Sequence, residues 1–380
     1  MGFKINKVKA DLRSYPPFLI MGEAKVGKTT LFRDLVLLNY KNPAKGLLIS
    51  LGQEEGYHSL DDLNYEEAQE WTALEDENGN RGLVEIIDEV LETQSDKENK
   101  IEMVCLDTLD ELVTLATHQV FEEHREATGS YPKSLNDALG GYSRGKERVV
   151  FLIREQIARL RKAKIAVFIL AHTKVKAKND VYSDINYEVI TNNLDSTFYT
   201  PIASMAQMIV NIVYKRQFGD VTEKKKKQKN GTELVEQVGN LVSSQRMMVF
   251  CDDTFVDAGG RFTGLPKELP LSAENFMRAF EQGVKNSSKA SPEEIQERFK
   301  QEEIENNAIA EHQAEQLRLN KKIQVVDEIK VYIKADQLKS MKILKPLVTK
   351  YKMTGFDNDS LNAVEYENLV EMKEKLEREF

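Results

Sequence analysis

Short apolar runs punctuate the chain from Phe18 to Cys251, and between them apolar positions return every three or four residues. The runs Phe18–Met21, Gly46–Leu51, Met103–Leu106, Ala166–Ala171, Met208–Tyr214 and Met247–Cys251 are bounded by Gly or polar residues. Buried strands have that form. Thr29–Leu38, Leu83–Thr93, Leu109–Thr117 and Lys146–Lys162 have helical spacing. In the last of these Val149, Leu152, Ile153, Ile157 and Leu160 share one face, and basic residues close the segment as suits a helix C-terminus. Strands alternating with helices predict an α/β fold with a mainly parallel sheet.

The pattern changes after Phe280. Lys285–Ala290 is small and polar, and Ser291-Pro292-Glu293-Glu294 is a helix start with Ser as N-cap and Pro at N1. Residues 293–319 carry few large apolar side chains and read as an exposed helix. Periodicity returns over 321–380, as a small helical bundle requires. The expected organisation is a domain over 1–284, a charged helical linker over 285–320 and a helical C-terminal region over 321–380.

Composition narrows the class. The 380 residues carry 62 acidic and 53 basic side chains, a net charge of −9, which speaks against wholesale coating of nucleic acid and leaves room for a local basic patch. Two cysteines, Cys105 and Cys251, make no disulfide framework. No run reaches the about 18–20 apolar residues that span a bilayer. The basic N-terminus lacks an apolar core for secretion, and Asn6 stands where a myristoylation signal has Ser or Thr. A cytoplasmic protein without a membrane partner is expected.

The strongest chemical signal is Gly22-Glu23-Ala24-Lys25-Val26-Gly27-Lys28-Thr29-Thr30, which fits G-x-x-x-x-G-K-[ST] between an apolar strand and a helix. Gly22 and Gly27 permit backbone angles that turn amide N–H groups inward, and the helix N-terminus adds partial positive charge. Lys28 can reach the β- and γ-phosphates of ATP, and Thr29 can place its hydroxyl on Mg²⁺. Met103–Asp107 is an apolar strand ending in an acid, so Asp107 is the second metal residue, a role compatible with capping the next helix. Asp110 and Glu111 read as solvated first-turn acids, with one of them a reserve base. A water-orienting carboxylate is not found directly after Asp107, where Thr108 stands. Gly52-Gln53-Glu54-Glu55-Gly56 supplies one at the tip of another strand. Glu55 is preferred over Glu54, and a turn of exposed acids is the competing reading.

With these residues the chain resembles the RecA-like P-loop ATPases encoded by phages, AAA-family ATP-binding proteins some of which act beside single-strand annealing proteins in recombination. The likeness rests on GEAKVGKTT, Glu54–Leu60 (EEGYHSL), MVCLDT and Ala166–Lys174 (AVFILAHTK). Gly141–Gly145 before the long helix and Arg261–Pro266 with Leu269-Pro270-Leu271 agree with it. It implies a RecA-like P-loop NTPase core with a C-terminal helical extension, working as a homo-oligomer in DNA recombination or replication with other phage proteins, in the cytoplasm of a host bacterium. By position His172 and Thr173 inherit the polar sensor of the γ-phosphate or catalytic water. A histidine that only tethers a loop is the alternative. The resemblance also implies a basic residue from a neighbouring subunit, with Lys174, Lys176, Arg216 and Arg246 as candidates.

Two stretches suit single-stranded DNA. Lys174–Tyr199 interleaves Lys174, Lys176 and Lys178 with Tyr182, Tyr187, Phe198 and Tyr199, where RecA-like proteins hold mobile DNA-binding loops. Lys224–Lys229 precedes Asn230-Gly231, a hairpin tip. A solvated, flexible loop is the competing reading for both, and for a run of lysines it is usually the better one. Three other classes stay in view. A nucleotide kinase needs an arginine-rich lid, and Ser183–Thr200 has none. A GTPase needs a guanine-reading Asn/Thr-Lys-x-Asp motif, also missing. An adaptor such as a helicase loader would bind ATP with little turnover.

Overall fold

A computed structural model describes residues 11–52, 60–73, 81–96, 98–180, 183–227, 233–253, 255–287, 315, 318–351, 353, 355 and 358–379, with the side chains of 220–227, 233–238, 337, 358 and 359 outside that description. The first strand, β1 (Phe18–Gly22), is followed by α1 (Lys28–Tyr40), β2 (Gly46–Leu51), β3 (Asn64–Ala68), α2 (Leu83–Glu92) and β4 (Met103–Asp107). Two long helices, α3 (Leu109–Thr128) and α4 (Arg144–Lys162), then lead to β5 (Ala166–Asp180), β6 (Ile185–Asn192) and α5 (Ser196–Ala203). The sheet is completed by β7 (Met208–Lys227), β8 (Glu233–Val249), β9 (Gly259–Gly260) and β10 (Glu268–Pro270), and α6 (Ala273–Ser287) packs behind it.

The strand order is β10-β8-β7-β1-β5-β4-β2-β3, with β6 on β5 and β9 on β7. From β7 through β3 every neighbour in that row is parallel. The α/β fold with a mainly parallel sheet is therefore as the pattern predicted. Successive residues point to opposite faces. Phe18 and Ile20 of β1, with Phe168 and Leu170 of β5, join α1 and α6 in one core; Leu19, Met21, Val167 and Ile169 join α2, α3 and α4 in the other. The aromatic centre of the first core stacks Phe18 on Phe168 at 5.0 Å between ring centroids, with Phe276 edge-on to Phe18 at 5.9 Å.

Helices on opposite faces follow β1 and β4. The chain leaves these two strand ends, which flank β5, towards opposite faces of the sheet, and the carboxyl edge between them is where α/β folds bind ligands.

Several expected boundaries are corrected. β5 does not stop at Ala171 but runs on to Asp180 and pairs antiparallel with β6, so 174–180 and 185–192, expected as loop, are the two strands of the β5–β6 hairpin. β7 and β8 continue far past the core as a paired arm to Lys227↔Glu233. The Asn230-Gly231 tip lies outside the described residues. β8 ends at Val249, so Cys251 follows the strand rather than sitting in it. α6 ends at Ser287, and the expected charged helix falls almost wholly outside the described residues. Beyond it α7 (318–335), α8 (Gln337–Lys350), α9 (Asn358–Asn362) and α10 (Tyr366–Glu379) enclose a separate apolar cluster that includes Ile329, Leu344, Leu361, Leu369 and Met372.

The cysteines are both free and differ in exposure. Cys105 is fully buried in β4, where burial and then the nearby Asp107 push its thiol well above the usual range. Cys251 is half-buried, its Sγ 3.6 Å from the Leu265 carbonyl oxygen. A thiol reagent followed by mass spectrometry should modify Cys251 in the native protein and Cys105 only on global unfolding. Equal rates at the two sites would contradict this packing.

Candidate functional site

The loop from Gly22 to Gly27 closes over the N-terminus of α1 because two glycines allow it. A Cβ on Gly22 would lie 2.8 Å from Val26 Cγ1 and 3.0 Å from the Ile212 carbonyl oxygen, so only glycine lets β1 pass so close to β7. Gly27 has φ 106°, left-handed backbone that other residues rarely adopt, and Lys25 also lies there at φ 63°. Val26 anchors the loop with a fully buried side chain, whereas Glu23, Ala24 and Lys25 form its exposed rim. Thr29 and Thr30 are half-buried in the first turn of α1.

Lys28 is 6% exposed and folds back under the loop, its Nζ donating to the carbonyl oxygens of Gly22 and Glu23 at 3.0 Å each. The same ammonium lies 3.4 Å from His172 Nδ1. Strand pairing dictates the meeting, since Gly22 of β1 stands opposite His172 of β5. The His172 N–H donates to Asp110 Oδ2 at 3.2 Å, and its carbonyl accepts from Asn193 N–H at 3.0 Å. Thr173 is half-buried at the start of the β5–β6 hairpin and pairs with Asn192.

Asp107 is 7% exposed at the end of β4 and accepts the Thr29 hydroxyl at Oδ2, 3.0 Å away. The Asp107–Thr108 peptide is cis. The spacing of 78 residues between the two partners is closed by the sheet alone. A hydroxyl beside a carboxylate is a donor set for a hard cation such as Mg²⁺. Beside it, Thr108 Oγ1 and Asp110 Oδ1 are buried without a hydrogen-bond partner among the described residues. The cradle, the buried ammonium and these oxygens fit a magnesium nucleotide. Among the described residues no cluster of three or more His, Cys, Asp or Glu could hold a metal by itself.

Other expected residues fall elsewhere. Glu54 and Glu55 lie outside the described residues. They follow Gly52 at the tip of β2, which pairs with β4 so that Ser50 stands opposite Asp107. Asp110 and Glu111, expected in solvent, are half-buried. Asp110 holds the His172 backbone, and the Glu111 carboxylate packs so closely on Gly52 that a Cβ there would lie 2.3 Å from Oε2. Phe198 and Tyr199, expected as stacking platforms, turn inward. Phe198 packs on the core, and the Tyr199 hydroxyl lies 3.5 Å from Met21 Sδ, with burial and then Asp257 pushing its pKa up. Lys176, read as a mobile cation, donates to the Leu194 carbonyl at 2.7 Å; burial and then Lys174 lower its pKa.

A family model described as AAA domain matches residues 15–262, most of the chain and all of the site. The chain belongs to the AAA domain family. No curated protein matches it. It is thus an AAA-type P-loop ATPase domain, a nucleotide-binding class, and the matched residues include the loop from Gly22 to Thr30, Asp107 and His172. No helix among the described residues is long and apolar enough to cross a membrane.

Proposed function

We propose that this AAA-type protein is a Mg²⁺-dependent ATPase of the phage type that acts on single-stranded DNA in recombination or replication, as a homo-oligomer. The observation that carries the reading is the contact between Lys28 and His172 at the root of the β5–β6 hairpin. It joins the phosphate loop to a projecting element that bears exposed Lys174, Val175 and Lys178 and half-buried Tyr187. Lysines beside an aromatic ring suit backbone neutralisation with base stacking. Gly22–Thr30 would hold the phosphates. Thr29 directly and Asp107 through water would hold Mg²⁺, which when bound neutralises charge on the β- and γ-phosphate oxygens. Glu55, or Glu54 beside it, would orient the attacking water from the tip of β2. His172 and Thr173 would relay the state of the γ-phosphate into the hairpin. The ATPase unit is assigned to 1–284, with 285–320 a charged linker and 321–380 a helical appendage for a partner protein.

ATP turnover with and without single-stranded DNA, at low and high salt, tests the reading. Turnover stimulated by DNA, with the stimulation lost at high salt, is the expected result. A protein that turns over ATP but neither binds nor responds to DNA would end the recombination reading. Nucleotide binding with no turnover would favour an adaptor.

A further inference from the structure

We infer that Arg246 is a phosphate-holding residue of the nucleotide site, contributed by the same subunit that supplies the phosphate loop. This rests on the ATPase reading above and adds to it a residue and the subunit it comes from. The resemblance makes Arg246 a candidate for donation by a neighbouring subunit, whereas the sheet brings it to the phosphate loop of its own subunit. It stands on β8 opposite Tyr214 of β7, and β7 is the direct neighbour of β1. Its side chain reaches back over β7, and Nη1 donates to the Val26 carbonyl oxygen at 3.3 Å. At Gly27 a Cβ would lie 2.8 Å from that nitrogen and 3.2 Å from Leu271 Cδ2. The Arg246 carbonyl accepts from Leu271 N–H at 3.0 Å, which fixes the strand where the side chain departs.

The electrostatics point to an anion. A guanidinium carries five donors, and the side chain of Arg246 spends one of them on a neutral carbonyl at the long end of the hydrogen-bond range. Among the described residues no carboxylate pairs with it, and it is exposed. An arginine without a counter-ion at the rim of an anion-binding loop is matched by phosphate, whose oxygens accept in pairs and bind charged donors about twice as strongly as neutral ones. The other candidate cations are engaged elsewhere or stand on projecting strands. Arg216 lies over the Tyr214 ring at 5.1 Å, Lys176 is held by Leu194, and Lys174 is on the β5–β6 hairpin. Arg246 also sits where the β7–β8 arm leaves the core, so the residue that holds phosphate is the root of that arm.

The test uses the full chain. Binding of a fluorescent ATP analogue is measured for the wild type, Arg246→Ala and Arg246→Lys, with inorganic tripolyphosphate and adenosine as competitors. Arg246→Ala should weaken ATP and tripolyphosphate roughly 10–100-fold, as expected for one hydrogen bond to a charged group, and leave adenosine unchanged. Arg246→Lys should recover part of the loss. Arg246→Ala is then mixed with Lys28→Ala: the first has an intact loop, the second an intact Arg246. No recovery of turnover is expected on mixing. Restored turnover would place Arg246 in a neighbour's site, and unchanged tripolyphosphate affinity would remove it from the phosphates; either overturns the inference. A wild type that fails to bind ATP would instead sink the underlying reading.

Discussion

Replacing Lys28 with alanine is expected to lower ATP turnover by about 10²–10³-fold, the usual consequence of deleting a preorganised charge aimed at phosphoryl oxygens. The ammonium is held by the backbone of the loop it serves, through the carbonyl oxygens of Gly22 and Glu23, and is nearly excluded from solvent. It therefore stands at the loop before phosphate arrives, and phosphate oxygens replace one or more of the acceptors it now has in the loop carbonyls and His172. The fold should survive, because the loop keeps its glycine turn, the buried Val26 anchor and the Leu31 N–H to Gly27 carbonyl bond that opens α1. Steady-state turnover measured beside circular dichroism separates the two effects. A folded Lys28→Ala protein with wild-type turnover would overturn the site assignment.

Asp107→Asn should be nearly as damaging to turnover while sparing structure. The amide keeps an oxygen to accept the Thr29 hydroxyl, so the link between α1 and β4 persists and only the charge is lost. Loss of a carboxylate that binds through water typically weakens metal affinity 10–100-fold. The Mg²⁺ concentration for half-maximal turnover should rise by about that factor. The thermal midpoint should stay near that of the wild type, because the substitution also removes an ion from a nearly buried position. An unchanged Mg²⁺ dependence would move the metal role to another acid, and Asp110, with its buried unpartnered oxygen, is the nearest choice.

The parts of this architecture that were legible in the sequence are those whose signal is local. The phosphate loop is written in one stretch, and the core strands are apolar because both faces of the sheet are covered. The parts that were not legible depend on neighbours. β3 is Asn64-Tyr65-Glu66-Glu67-Ala68, a polar edge strand held by pairing with β2 rather than by burial. Past Ala171, β5 exposes Lys174, Val175 and Lys178, so no apolar alternation marked it as strand. Asp110 and Glu111 look like ordinary first-turn acids until β5 and the tip of β2 close over them. The contact between Arg246 and Val26 spans 220 residues of sequence and depends on β7 pairing both with β8, which carries Arg246, and with β1, which leads into the Val26 loop. No spacing rule could have found it.

The continuity of β5 has a mechanical consequence. One uninterrupted strand runs from the buried sheet through His172 to the hairpin end at Asp180, with no glycine or proline between them. A paired ribbon resists stretching yet bends across its plane, so what reaches the far end is a tilt rather than a push. Eight residues beyond His172 span about 26 Å, and a tilt of about 5° would swing the tip by about 2 Å. A sub-ångström adjustment beside Lys28 is thereby geared up at the hairpin end by lever arm alone.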